Sequence, residues 1–583
     1  MQQKRVNDDR VVLHHEAARK WLCFKSPRQI IATHRLGEVL DALGRVEELV
    51  NREGWFAAGF LSYESSGAFD SALSTRSQNE LPLLWFGLFP EPEEVTLPAP
   101  DWDQYALGKF EPSVSQSEYA RAIRAVRSHI HAGDTYQVNY TLRLRVPFKG
   151  DPWNLFLALV RAQSPGYSAW IDAERFAVCS ASPELFFSLK GNQLLCKPMK
   201  GTVKRGRTLE EDMALADWLQ HSEKNRAENV MITDMIRNDL GRIAEFGSVH
   251  VPGLFEVERH PTLWQMTSTV AAFCSKPVTE IFKALFPCAS ITGAPKVRTT
   301  QIITDLENSP RGIYTGCIGF IAPERLAQFN VAIRTAIVDR HKSQLEYGTG
   351  GGIVWDSTSE DEYTEALLKT RVLTERYPEF SLLETMLWTP EDQYFLIDEH
   401  MNRLSRSATY FNFSLNLEDV ESRLENLAGS FGRTPHRVRL LVSRTGEVHV
   451  EAKALDVSGN KRPFRIGLAQ SPVNSANIFL YHKTTRRRVY EDARKGCAEC
   501  DDVLLWNERE EVTESCLANI VFDIDGELCT PPVKSGLLAG TFRERLLAEG
   551  RIRERLLPVA GLKQCRKLYL INSVRKWQDA ALI

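Results

Sequence analysis

Short runs of alternating apolar and polar residues, each closed by a turn, fill the chain up to about residue 110. Gly59-Phe60-Leu61-Ser62-Tyr63-Glu64 and Leu84-Trp85-Phe86-Gly87-Leu88 are examples, and they predict strands. The Pro/Glu-rich patch from Pro90 to Pro100 reads as a loop. Ser115-Gln116-Ser117-Glu118 then has the spacing of a capping box. Apolar positions at Tyr119, Ile123, Val126 and Ile130 predict a helix that ends at Gly133. From Asp134 to Tyr140 the period changes to two. Helix and strand patterns continue to about Arg376. Thr374 to Glu379, with Pro378, is the best boundary, and a strand-rich stretch opens at Phe380-Ser381-Leu382-Leu383-Glu384-Thr385-Met386. The reading is a first domain over 1–374, a connector over 375–379 and a second domain over 380–583.

Composition narrows the class. At 583 residues the chain has room for about four compact units, or fewer if the sheets are large. With 43% hydrophobic and 25% charged residues it is an ordinary globular sequence. A net charge of -3 argues against a general nucleic-acid or lipid-surface role, which needs a basic excess. Met1 to Arg10 is polar, so no secretory signal is read, and no apolar run is long enough to span a membrane. Eleven scattered cysteines suggest reduced thiols in the cytoplasm. Cys497 and Cys500 have CxxC spacing, but nothing completes a four-ligand zinc site, so no chemistry is assigned there.

Candidate chemistry centres first on Lys200, in Lys197-Pro198-Met199-Lys200-Gly201-Thr202, between a strand-like run and a predicted Gly-Thr turn. Sixteen residues upstream, Glu184 in Ser182-Pro183-Glu184 ends another strand-like segment. An unprotonated amine can attack carbon, and an acid can protonate a hydroxyl that leaves. Glu228 opens a helical run that ends near Gly241, and Glu362 and Glu365 share a helix face at i and i+3. Carboxylates on separate helices suit a hard cation such as Mg²⁺. Between them, Gly348 to Gly352 reads as a turn whose backbone could approach an oxyanion. Arg334, on a mostly apolar run, would seek a carboxylate.

The ordered segments Gly133–Asn139, Ser182–Glu184, Lys197–Thr202, Arg226–Asn229, Arg237–Arg242, Ser290–Lys296 and Arg311–Gly316, with those of Arg334 and Gly350, resemble the chorismate-utilising enzymes over roughly residues 50–374. These are the anthranilate, isochorismate, salicylate and aminodeoxychorismate synthases. The resemblance implies a large α+β sandwich of antiparallel sheets flanked by helices. Lysine in Pro-x-Lys-Gly-Thr is the aminodeoxychorismate synthase choice; anthranilate synthases carry alanine there. Lys200 is then implied to attack C2 of chorismate while the C4 hydroxyl leaves with a proton from Glu184, after which ammonia adds at C4 and expels the lysine. Glu228 and Glu365 are implied to hold Mg²⁺, with Glu362 as a further ligand or just behind one. Tyr314, Arg334, Thr292 and the backbone at Gly350 and Gly351 are implied substrate contacts. Two positions depart from the pattern: Asn225 stands where many relatives have a carboxylate, and Gln265 where several have histidine.

Beyond residue 380 a second lysine, Lys483, precedes a helical run containing Tyr490. Glu514 lies beside a strand, where a carboxylate can keep a pyridine nitrogen protonated. Gly540 and Thr541 precede a helix predicted to start near Phe542, a geometry suited to phosphate, and Arg403 could add charge. The order resembles fold-type IV pyridoxal-phosphate enzymes over about 380–583: branched-chain and D-amino-acid aminotransferases, and aminodeoxychorismate lyase. It implies a two-lobed domain in which Lys483 bonds the pyridoxal phosphate, Glu514 pairs with its ring nitrogen, and Arg403, Gly540 and Thr541 hold its phosphate. A homodimer through this domain is also implied.

The two resemblances together imply a cytoplasmic, bifunctional enzyme of folate-precursor synthesis. Chorismate is aminated at C4, and pyruvate is then eliminated to give 4-aminobenzoate. The alternative is an anthranilate-synthase-like enzyme fused to an aminotransferase-like domain. Cys317 in Thr315-Gly316-Cys317-Ile318-Gly319 lacks the first glycine of a glutaminase nucleophile turn and fits a core strand. Ammonia is therefore expected from a separate glutamine amidotransferase subunit, or directly from solution.

Overall fold

The computed structural model describes residues 10–77, 80–163, 166–376, 379–455, 462–497 and 499–583. Tyr377 and Pro378 of the expected connector, and most of the polar N-terminal stretch, lie outside these residues. The chain divides into two compact units, residues 1–204 with 216–377, and residues 205–215 with 378–583.

The first unit is built on an eleven-stranded and a ten-stranded sheet. Val11, Leu13, Phe24, Val178 and Ile337 of one sheet share a buried cluster with Ala58, Phe60, Trp85, Ile318 and Phe320 of the other. That shared core makes the sheets the two layers of a sandwich. Helices cover the outer faces. Val39–Glu53 and Val278–Leu285 pack on one sheet, and Gln116–His131 and Pro152–Gln163 on the other. The expected antiparallel sandwich flanked by helices is what the chain forms.

Local chemistry explains most element ends. Ser115 accepts from the Glu118 N–H while the Glu118 side chain accepts from the Ser115 N–H, so the capping box forms and the helix Gln116–His131 starts there. Its end is followed by Gly133 at φ 77°. Several expectations need correction. The helix Val39–Glu53 was not foreseen in a region read as strands and turns, although Val39, Leu43, Val46 and Val50 repeat at helical spacing and are buried. The Pro90–Pro100 patch contains a short edge strand, Glu93–Val95, paired with Trp21–Cys23. The Cys497 and Cys500 sulfurs lie against each other in the second unit.

The second unit has two lobes. A four-stranded antiparallel sheet, with the helices Ile397–Phe411 and Leu417–Ala428, encloses one core of Met386, Leu404, Val420, Leu424 and Val438. An eight-stranded mixed sheet forms the other, with Phe464–Leu468 running parallel to both Asp502–Trp506 and Lys576–Leu582. Cys317 lies in the strand Cys317–Ala322 of the first unit and is buried, as a core strand requires.

Candidate active sites

In the first unit the strand Gln137–Gly150 pairs with Gln344–Ile353, setting Gly350 opposite Thr141 and Gly352 opposite Asn139. The glycine-rich segment is therefore extended strand, not the turn expected from composition. Its glycines are required by close approach. A Cβ on Gly350 would stand 2.3 Å from the Tyr140 carbonyl, and one on Gly348 would stand 2.2 Å from the Tyr314 ring. At Gly352 the obstacle is the site itself, with Lys200 Nζ at 2.5 Å and Gln137 Nε2 at 2.7 Å from such a Cβ.

Lys200 sits within the strand Met199–Lys204, whose register against Leu263–Phe273 slips between Met199 and Thr202. The expected Gly-Thr turn is instead this bulge. Gly201, at φ 96°, packs against Asn225 and supplies the extra residue. Although its side chain keeps some solvent contact, burial pulls the Lys200 ammonium below the usual lysine range, with Glu228 the leading opposing charge. Glu184 is buried, and its Oε1 accepts from Ser290 Oγ at 2.6 Å. Burial raises its carboxyl to about 7, opposed by Ser290, Met199 N–H and Lys200. A carboxyl titrating there can hold a proton and release it near neutrality.

Glu228 is on the helix Glu223–Gly241, and Glu362 and Glu365 are on Ser359–Leu368. Glu362 accepts from Ser357 at 2.7 Å. Glu365 pairs with Lys369 at 2.9 Å, and Lys369 also donates to the Gly350 carbonyl at 2.8 Å. The carboxylates suit a hard cation by donor chemistry, yet among the described residues no three such side chains are gathered to hold one. No step below runs through a metal.

The other expected contacts divide. Tyr314 is buried and raised to about 12 by burial, with the Arg143 guanidinium 5.0 Å from its ring centre. Arg334 donates to Gln163 Oε1 at 2.6 Å rather than to a carboxylate. Thr292 is buried and its hydroxyl donates to the Cys288 carbonyl at 2.9 Å, so that donor is spent on its own turn. Asn225 donates to Ser222 at 2.9 Å. Gln265 faces Thr202 across the strand pair, and its Oε1 is buried without a protein partner. Three residues given no role by sequence reasoning stand at the site: Ser290, Lys369 and Gln137. Lys369 was readable as the i+4 partner of Glu365. Gln137 is fully buried with both amide atoms unpaired, which only the fold reveals.

In the second unit a recess is lined by Arg403, Lys483, Glu514, Gly540 and Thr541, so the five expected residues come together. Lys483 is pulled down to about 8, chiefly by burial and then by Arg403. Glu514, in the strand Val512–Ser515, is raised to about 7 by burial. It accepts from Tyr490 Oη at 2.9 Å, Asn519 Nδ2 at 3.2 Å and Leu538 N–H at 3.2 Å. Thr541 opens the helix Thr541–Ala548 with Gly540 as its N-cap, where a Cβ would meet Asn519 Oδ1 at 2.1 Å. An amine, an acceptor for a ring N–H, a guanidinium and a helix start lining one recess match the chemistry of pyridoxal phosphate.

The two sites and their frames define the classes. Residues 93–375 match the chorismate binding enzyme family, and residues 381–583 match amino-transferase class IV. The aminodeoxychorismate synthase of Arabidopsis thaliana chloroplasts is 40% identical over 294 residues, covering 49% of this chain and 32% of that protein. Aminodeoxychorismate synthase component 1 of Salmonella typhimurium is 40% identical over 262 residues, covering 45% of this chain and 57% of that protein. Such curated relatives are spanned over only 30% to 60% of their own length. Anthranilate synthase component I of Streptococcus pneumoniae shares the fold, with a TM-score of 0.54 at 24% identity over 64% of this chain and 95% of its own. The chain thus belongs to the chorismate binding enzymes in its first part and to the class IV amino-transferases, a class that implies pyridoxal phosphate, in its second.

Proposed function

We propose that the chain makes 4-aminobenzoate from chorismate in two reactions, one per unit. In the first, the Lys200 amine bonds to C2 of chorismate, the ring double bonds shift, and the C4 hydroxyl leaves as water with the proton of Glu184. Ammonia then bonds to C4 and the Lys200 amine departs from C2, giving 4-amino-4-deoxychorismate. The observation that carries this reading is the pairing of a burial-depressed amine with a buried carboxyl titrating near 7, each within Coulombic reach of the other. Glu228, Glu362 and Glu365 would attract Mg²⁺, and Tyr314, Arg334 and the backbone at Gly350 and Gly351 are assigned to the substrate.

In the second unit Arg403, Gly540 and Thr541 would hold the phosphate of pyridoxal phosphate, and Glu514 would face its ring nitrogen. When bound, this cofactor supplies a pyridine ring that takes up the electron pair left as a bond at an amine-bearing carbon breaks. The Lys483 amine takes the proton from C4, and the enolpyruvyl group leaves C3 and becomes pyruvate by gaining a proton, which aromatises the ring. The loss of pyruvate rather than amine transfer is supported by the fusion, since the first product bears its amine where the second reaction needs it.

A separate glutaminase subunit is the proposed ammonia source, in keeping with a relative named component 1. We further propose a cytoplasmic location and a dimer through the second unit. Among the described residues no helix is long and apolar enough to cross a membrane, and Cys23, Cys179, Cys196 and Cys274 are free thiols. The test is to incubate the purified chain with chorismate, ammonium, Mg²⁺ and pyridoxal phosphate. 4-Aminobenzoate with equimolar pyruvate is expected; 2-aminobenzoate would overturn the assignment.

A further inference from the structure

Arg403 and Thr541 share two buried neighbours in the second unit. Glu384, in the strand Leu382–Thr389, is 1% exposed and accepts from Arg403 Nε at 2.9 Å and Nη2 at 2.5 Å. It also bonds His400 Nδ1 at 2.7 Å. His400 is fully buried and turns Nε2 to the Thr541 hydroxyl at 3.4 Å. Arg403 Nη1 donates to the Ala539 carbonyl at 3.2 Å.

The donor count fixes the consequence. Three guanidinium N–H groups are spent on Glu384 and Ala539. One remains on each terminal nitrogen, and both are available to a phosphate. Burial pushes the Glu384 carboxyl up, but the charges and hydrogen bonds of Arg403 and His400 outweigh it and hold it at about 2. An ionised Glu384 only accepts, so Nδ1 of His400 carries the proton and Nε2 accepts from the Thr541 hydroxyl, which fixes that side chain and leaves the Thr541 backbone N–H at the helix start as its donor to a phosphate. Both phosphate contacts are thereby ordered before a ligand arrives, and the ordering entropy is not charged to binding.

We propose that Glu384 and His400 are positioning residues for the anion end of this recess: acting through Arg403 and Thr541, they set its preference for a phosphorylated pyridoxal over the same aldehyde without phosphate. The inference rests on reading the second unit as a pyridoxal-phosphate domain. Its test is the ratio of two affinities, which a purely structural role would leave unchanged. Full-length protein stripped of cofactor is titrated by absorbance with pyridoxal phosphate and with pyridoxal. The chains compared are the unaltered protein, Glu384→Gln, His400→Gln, Arg403→Lys and the Glu384→Gln/Arg403→Lys double variant.

Glu384→Gln should raise the Kd for the phosphate ester roughly tenfold or more while pyridoxal affinity changes little, by the worth of a charge-assisted bond. His400→Gln should act in the same direction by roughly threefold. The double variant should bind the ester no more weakly than the worse single variant, because one pathway is cut twice. An unaltered ratio in folded Glu384→Gln and His400→Gln, or equal weakening toward both aldehydes, overturns the inference. Should Glu384→Gln fail to fold, His400→Gln decides alone. Binding of neither aldehyde by the unaltered protein overturns the cofactor reading of the unit, and this inference with it.

Discussion

The two units use the same pair of residue types, a depressed lysine and a buried glutamate near 7, in different electrical settings. Around Lys200 the leading facing charges are Lys369 against Glu184, Glu228 and Glu362, one basic group against three acidic ones. Around Lys483 they are Arg403 and Arg487 against Glu384 and Glu514, two of each sign. Lysine alone does not specify chemistry; its surroundings decide which ligand it can serve. The second unit already carries two guanidinium groups that a phosphate dianion can use. The first is acidic, and on the proposed reading Mg²⁺ would supply the positive charge that an entering dicarboxylate needs.

The comparison breaks most directly at the lysines. Lys200→Ala should lose C4 amination by roughly a thousandfold or more while the second unit still converts supplied 4-amino-4-deoxychorismate. Lys483→Ala should do the reverse and let that intermediate accumulate. Product analysis by chromatography checks both, and normal overall turnover in either variant would end the division of labour.

Next in size is Glu184→Gln, expected to cost amination about 10²–10⁴-fold by loss of a general acid. Its pH profile sharpens the contrast. Amination needs Glu184 protonated and Lys200 unprotonated, so its rate should be bell-shaped in pH, with one limb near 7 and the other at the lowered Lys200 value. The second reaction needs Lys483 unprotonated, so its rate should rise through about 8. The two pH profiles should therefore differ in shape, a bell for amination and a single rise for elimination, and matching profiles would show that these groups do not control them. Chelating divalent ions should then slow amination roughly tenfold or more and leave elimination of pyruvate unchanged.

Much of this was legible before any coordinates. Lys200 and Glu184, like Lys483 and Glu514, are single residues in distinctive segments, and the fold brings each pair within Coulombic reach. Less legible was what depends on pairing. Gly348 to Gly352 looks like a turn by composition, and only the register with Gln137–Gly150 makes it a strand. The bulge at Gly201 is likewise set by Leu263–Phe273, far along the chain. Glu384 was invisible for the same reason, since a lone acid in an apolar strand gains meaning only once Arg403 and His400 come back to it. The Val39–Glu53 helix is different, because Val39, Leu43, Val46 and Val50 carry its helical spacing in the sequence itself.

The glycine strand offers the finest probe of the first unit, because three adjacent positions meet three kinds of obstacle. In Gly350→Ala the new Cβ meets the Tyr140 carbonyl at 2.3 Å, and backbone cannot step aside, so a loss of roughly 1–3 kcal/mol in unfolding free energy is expected. In Gly352→Ala it meets Lys200 Nζ at 2.5 Å. A lysine tip moves cheaply, so thermal unfolding should change little while amination falls sharply. In Gly351→Ala the nearest atom is Glu362 Oε2 at 2.9 Å, again a flexible end, and Lys369 Nζ lies at 4.0 Å. Neither atom is assigned a bond-making step, so kcat should hold within roughly threefold, and the readable change should be in the Mg²⁺ concentration for half-maximal rate. A Gly351→Ala chain with normal Mg²⁺ dependence would detach Glu362 from the cation and confine the acidic field to Glu228 and Glu365.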